Sequence, residues 1–207
     1  MGVRQTVAVY RVAFALLTVS AILTQMVNVM RAGTFDGLNY FSYFTIDSNL
    51  IAVAVFLVSA ARWNTATGPA WAYVRGASVV YMTVVGVVFT VLLSGTDVDT
   101  AIPWVNSTVH ELMPLVVLAD WLVDPPATRL SIAPATAWLA FPLVWIVYTL
   151  IKGPIVGKYP YPFLDPANGG YGSIAAYCVA ILAFMLAVGA AVVWMGNLRS
   201  RAATVAA

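Results

Sequence analysis

The chain has 207 residues, 62% of them hydrophobic and 9% charged, with a net charge of +2 and a mean hydropathy of +0.90. Soluble domains carry about 25% charged residues, so the composition predicts an integral membrane protein, and the small charge without a basic run excludes nucleic acid as a partner. One cysteine (Cys178) and one histidine (His110) exclude an intramolecular disulfide, a cysteine metal cluster, a haem held by two histidines and a histidine-rich zinc site, so neither cofactor nor metal is expected.

Six apolar segments are long enough to cross a bilayer, which takes about 20 helical residues: 7–30, 42–61, 73–94, 103–123, 134–151 and 173–196. Backbone groups in lipid must bond within their own segment, and these unbroken runs lack the alternation of barrel strands. The expected fold is an all-α integral membrane bundle of six transmembrane helices in one domain, 1–207. The first run is too long for a signal peptide, and no small-residue cleavage site follows it. With the N-terminus inside, the cytoplasmic side carries Arg4, Arg11, Arg62, Arg75, Arg129, Arg199 and Arg201, against Arg31, Lys152 and Lys158 outside. That excess places both termini in the cytoplasm.

Short turns such as Gly68-Pro69 and Asp124-Pro125-Pro126 join antiparallel neighbours. The exception is the outer loop 152–172, KGPIVGKYPYPFLDPANGGYG. It is either an ordered connector lying in the interface, where Tyr is enriched, or a lid over a site on that side.

The second segment opens on an unusually polar run, Ser42-Tyr43-Phe44-Thr45-Ile46-Asp47-Ser48-Asn49. Thr45 to Asn49 lie roughly 6–12 Å below the outer boundary at 1.5 Å per residue. On the fourth segment, His110 and Glu111 lie roughly 10–12 Å deep by the same rise. Two polar clusters some 60 residues apart therefore share a leaflet and a depth. An ionisable side chain at mid-helix costs about 2.5–3.5 kcal/mol on insertion scales, so Asp47, His110 and Glu111 are expected to face the bundle interior. Helical spacing puts Thr45, Ser48 and Asn49 on one face, and Ser107, His110 and Pro114 on another. Pro114 leaves the His110 carbonyl without its usual helical partner, which predicts a kink.

A hydroxyl beside an imidazole can form a nucleophile–base pair, and a carboxylate can fix the imidazole tautomer. Thr45 and His110 are the candidate pair. Asp47 would orient His110, and Asn49, Ser48 or Ser107 would donate to a developing oxyanion. The plain alternatives are a threonine bonded to its own i−4 carbonyl and a histidine serving a structural hydrogen bond. Asp120, with Trp121 and Asp124, reads as a helix end at the interface. Cys178 reads as a small buried hydrophobe. The sequon Asn106-Ser107-Thr108 lies too close to the helix to be a strong glycosylation site.

The segments FSYFTIDSN, VNSTVHELMPLVVLADWL and KYPYPFLDP resemble the Pr6Pr family of bacterial six-helix membrane proteins. That family is similar to the androgen-induced-protein group of eukaryotic membrane hydrolases. The resemblance implies hydrolysis of fatty-acid esters of hydroxy fatty acids by a threonine nucleophile, at Thr45, and a histidine, at His110. The function expected is thus an intramembrane lipid-ester hydrolase, with lipid entering between helices. The competing expectations are a solute- or proton-binding transport protein built on Asp47, His110 and Glu111, and a structural membrane subunit. An Ala/Val/Arg-rich, Lys-poor composition points to a bacterial inner membrane.

Overall fold

The computed structural model describes residues 2–65, 67–95 and 102–205, with side chains through residue 198. The side chains of Arg199 and Arg201, counted above toward orientation, lie outside the described set. All regular structure among the described residues is helical. The long elements are α1 (Val3–Arg31), α3 (Phe44–Ala61), α4 (Pro69–Val88), α8 (Ala140–Val156) and α9 (Gly170–Val205). The short helices are α2 (Gly37–Tyr40), α5 (Pro103–Ser107), α6 (Met113–Val123) and α7 (Ile132–Ala135).

Five helices are long and apolar enough to cross a membrane: Val3–Arg31, Phe44–Ala61, Pro69–Leu93, Ile132–Val156 and Gly170–Leu198. This is the architecture of a membrane-embedded helical protein. The remaining predicted segment, 103–123, is also a helical rod, in which a π-helical turn (Thr108–Leu112) joins α5 to α6. Asn106, Ser107, Thr108, His110, Glu111 and Asp120 make it the least apolar of the six, and it is not among the five.

Helix α4 is the central element, packed against α3, α6 and α9, while α1 lies along α3. Phe56, Val80, Met82 and Met113 are almost wholly buried between them. The close approach of α4 to α6 depends on Gly86: a Cβ there would come within 2.9 Å of the Pro114 Cβ. Helix α8 is held chiefly by large side chains. Phe141 stacks on Phe44 with ring centroids 5.2 Å apart, and Trp145 meets Phe44 edge-on at 5.2 Å. The Trp145 indole N–H donates to the Ser42 carbonyl at 3.0 Å.

The predicted outer loop is shorter than expected. Helix α8 continues through Val156 and stops where Gly157 adopts φ +72°, a left-handed conformation that suits glycine at a helix C-terminus. The loop is therefore 157–169, wound into two 3-10 turns at Pro162–Leu164 and Pro166–Asn168. Tyr161 and Leu164 are buried, so the loop packs into the bundle as well as crossing its end. Lys152, expected in this loop, is a buried residue of α8. Its ammonium donates to Ser42 Oγ at 2.7 Å and Asn39 Oδ1 at 3.2 Å, tying α8 to the α2–α3 connection.

At the opposite end of the bundle Asp120 lies in the last turn of α6, with Asp124 as its C-cap, as expected, but it does not face outward. It is buried, and Arg11 grips its two oxygens through Nε at 2.7 Å and Nη2 at 3.1 Å. Arg75 Nη2 donates to Asp120 at 2.9 Å and to the Asp124 carbonyl at 2.6 Å. Two arginines from α1 and α4 thus converge on one carboxylate of α6. Asp124 also meets Arg11 at 2.6 Å and Arg75 at 3.7 Å, so two carboxylates balance two guanidiniums, and charges brought into an apolar bundle are stable only when they meet in this way.

Candidate active site beneath the 157–169 loop

Thr45 is the second residue of α3. Its i−4 residue, Phe41, precedes the helix, so the usual back-bond has no helical carbonyl in line. Thr18, Thr24, Thr83, Thr90 and Thr108 each donate to the carbonyl four residues back, at 2.7–2.8 Å. Thr45 instead shares a 3.2 Å hydrogen bond with the Tyr161 hydroxyl, which also accepts from the Thr45 amide at 3.2 Å.

His110 lies in the π-helical turn of the α5–α6 rod and is buried. Its Nδ1 is 3.2 Å from the Asn106 carbonyl. A carbonyl only accepts, so Nδ1 carries the proton in this bond, and in the neutral ring Nε2 is left as the acceptor. The Phe89 ring stacks on the imidazole with centroids 4.3 Å apart. Phe89 opens a second π-helical turn, Phe89–Leu93, at the end of α4. Two π-turns thus meet at the histidine, and such turns are frequent at functional sites.

Asn49 joins the two halves. The π-turn sends the Met113 amide to the Thr108 carbonyl, and Pro114 has no N–H to offer, so the Val109 carbonyl loses its helical donor. The Asn49 side-chain amide fills that place at 3.0 Å while donating to the Thr45 carbonyl at 2.8 Å. The kink expected at Pro114 takes this form, with the orphaned carbonyl one residue earlier than predicted.

Thr45 and His110 open onto one cavity of about 300 Å³, whose polar lining includes Gln25, Thr34, Asp36, Asn39, Tyr43, Lys158 and Tyr161. No direct hydrogen bond links the Thr45 hydroxyl to the imidazole. A second cavity, of about 210 Å³, meets the first at Thr45 and Tyr161. It is almost entirely apolar and runs between Val84 of α4, Phe89 of the π-turn that follows it, Leu143 and Ile146 of α8, and Leu182 and Met185 of α9. Among the described residues no three His, Cys, Asp or Glu side chains gather as a metal-binding group.

The other expected site residues divide. Ser48 and Asn49 are fully buried on the same face as Thr45. Both amide hydrogens of Asn49 are already committed to carbonyls, so it is a brace between helices and not an oxyanion donor. Asp47 is half-buried and lines neither cavity, and Asn106, not Asp47, holds His110 Nδ1. Ser107 and Glu111 are exposed, contrary to the expectation that they face the interior. The π-turn explains Ser107: its wider spacing breaks the α-helical register that would have aligned residues 107, 110 and 114. Glu111 is one step round from His110 and points away as His110 points in.

Sequence reasoning missed Tyr161, Phe89 and Asn106. The YPYPF run was the one signal for Tyr161, since buried aromatic residues in a proline-ordered loop are positioned residues. Burial pushes the Tyr161 phenol up to about 12, the nearby Asp47 charge adding to this and the Thr45 and Phe44 contacts opposing it. It therefore remains a neutral hydroxyl at physiological pH.

No family model, curated protein or solved structure matches the chain.

Proposed function

We propose that the protein is an intramembrane hydrolase of lipid esters, with Thr45 as nucleophile and His110 as general base and then acid. The observation that carries this reading is the polar cavity lined by both Thr45 and His110, with Thr45 also lining an apolar slot. An acyl chain in the slot would bring its ester carbonyl to Thr45, and the polar cavity would take the alcohol portion and the attacking water. The acceptor state of His110 Nε2 suits a base. Ile46 lines the same cavity, and its first-turn amide, which has no intrahelical acceptor, is the candidate oxyanion donor. Direct contact between nucleophile and base would form as substrate tightens the site, since catalytic hydrogen bonds are often long before substrate binds.

In this reading the 103–123 rod is the sixth membrane span, both termini are cytoplasmic, and the 157–169 loop lies on the outer side. Support comes from the arginine distribution. Discounting Arg11 and Arg75, which are neutralised by Asp120 and Asp124 together, still leaves the larger share at the cytoplasmic end. The membrane is the bacterial inner membrane, and the substrate class is a fatty-acyl ester, as the Pr6Pr resemblance implies.

The test uses the full chain in lipid nanodiscs against a panel of long-chain acyl esters. Thr45→Ala and His110→Ala, shown to be folded by circular dichroism, should each abolish turnover. Wild-type activity in both variants would remove the mechanism.

A further inference from the structure

The amide of Thr45 is one of the first-turn N–H groups that α3 leaves without an acceptor. The Tyr43 side chain does not cap it. The cap comes instead from Tyr161, 116 residues further along the chain: its oxygen accepts from the Thr45 amide at 3.2 Å and interacts with the Phe44 amide. A phenol oxygen so occupied still carries a proton that needs an acceptor. Buried hydroxyls are rarely left unpaired, and Thr45 Oγ1, at 3.2 Å, is the acceptor within reach.

We infer that Tyr161 is a third catalytic residue, whose O–H donates to Thr45 Oγ1, turns the threonine proton toward the polar cavity and steadies negative charge on Oγ1. The inference rests on the hydrolase reading above. As Oγ1 bonds to the ester carbon, its proton passes to His110 Nε2 and the carbonyl π pair moves onto the carbonyl oxygen. That intermediate collapses by breaking the bond to the alcohol oxygen, which takes the proton from His110. Water then gives a proton to His110 as its oxygen bonds to the acyl carbon. The bond to Oγ1 breaks, and the proton returns from His110 to Oγ1 as the fatty acid departs. The phenol keeps its proton throughout and serves Oγ1 twice, as nucleophile and as leaving group.

The surroundings hold the phenol in place for this. Its ring stacks on Phe163 with centroids 5.4 Å apart and planes within 7°, and it is flanked by Tyr43 and Trp145 at 5.9 Å each. Tyr161 lines both cavities. A Tyr161→Phe change keeps that packing and removes only the hydroxyl.

The experiment measures ester turnover and the rate of Thr45 modification by a fluorophosphonate lipid probe, in nanodiscs, for wild type, Tyr161→Phe and a chain carrying 3,5-difluorotyrosine at 161. Tyr161→Phe should lower kcat and the labelling rate about 10- to 100-fold, somewhat below the loss of an oxyanion donor, with KM little changed. Difluorotyrosine, a more acidic phenol of nearly the same shape, should move the alkaline limb of the pH–rate profile to lower pH, which a merely structural tyrosine would not do. Should Tyr161→Phe fail to fold, the difluorotyrosine profile decides alone. A Phe variant within twofold of wild type in kcat, or a difluorotyrosine chain with the wild-type pH profile, overturns the inference while leaving the hydrolase reading intact. Absence of both turnover and a Thr45 adduct in the wild type overturns the two together.

Discussion

Replacing Asp120 by Asn tests whether the buried ion cluster holds α1, α4 and α6 together. Asp120 has a side chain only 6% exposed, and Arg11 and Arg75 beside it are 5% and 9% exposed. It accepts three guanidinium hydrogen bonds, at 2.7, 2.9 and 3.1 Å. Asparagine removes the charge and turns an amide N–H₂ toward donors that need acceptors, leaving two buried cations. Breaking a buried pair in this way costs about 3–5 kcal/mol. Asp124 provides the contrast: it also meets Arg11, at 2.6 Å, but is 48% exposed, so solvent screening limits Asp124→Ala to about 1 kcal/mol or less. The assay is unfolding by SDS titration in mixed micelles, followed by circular dichroism. A triple change to leucine at Arg11, Arg75 and Asp120 should recover most of the loss, because apolar packing commonly matches a buried ion cluster. Asp120→Asn within 1 kcal/mol of wild type, or Asp124→Ala equally damaging, would refute the reasoning.

Three further changes probe the site's scaffold. Asn49→Leu strands the Thr45 and Val109 carbonyls in an apolar setting and should cost about 1–3 kcal/mol in the same titration; an unchanged midpoint would show that the brace is dispensable. Gly86→Val drives side-chain atoms into Pro114, 2.9 Å from where a Cβ would stand, and should lose about 1–3 kcal/mol by overpacking. A neutral result there would mean that α4 and α6 separate freely. Gly153→Ala places a Cβ 2.0 Å from the Tyr159 ring, so the ring must swing away and loosen the 157–169 loop. Limited proteolysis should then cut that loop faster than in wild type, and equal cleavage rates would contradict the anchoring role.

The architecture was legible because a bilayer sets the length of an apolar helix, so runs of hydrophobic residues mark the elements directly. That Thr45 and His110 line one cavity was foreshadowed for a related reason: helical rise turns sequence distance from a helix end into a level along the bundle. Facing was less secure. Thr45, Ser48 and Asn49 do share a buried face, since α3 is regular there. Ser107 leaves the face of His110 because a π-turn alters the spacing, and hydropathy carries no trace of that turn.

The sequence alone therefore determined an all-helical membrane protein with a polar cluster near the start of its second apolar segment. It also predicted that the lone histidine lies near that cluster, and the two line one cavity; both expectations depend on quantities local to one helix. Tertiary structure decided the partners. Tyr161 reaches Thr45 across 116 residues, and Arg11 reaches Asp120 across 109. In each case a buried polar group must find its complement wherever packing brings one. The commitment of Asn49 to the Val109 carbonyl and the sharing of Thr45 by two cavities belong to that second category. Each arises from the contact of elements whose separate sequences say nothing of one another.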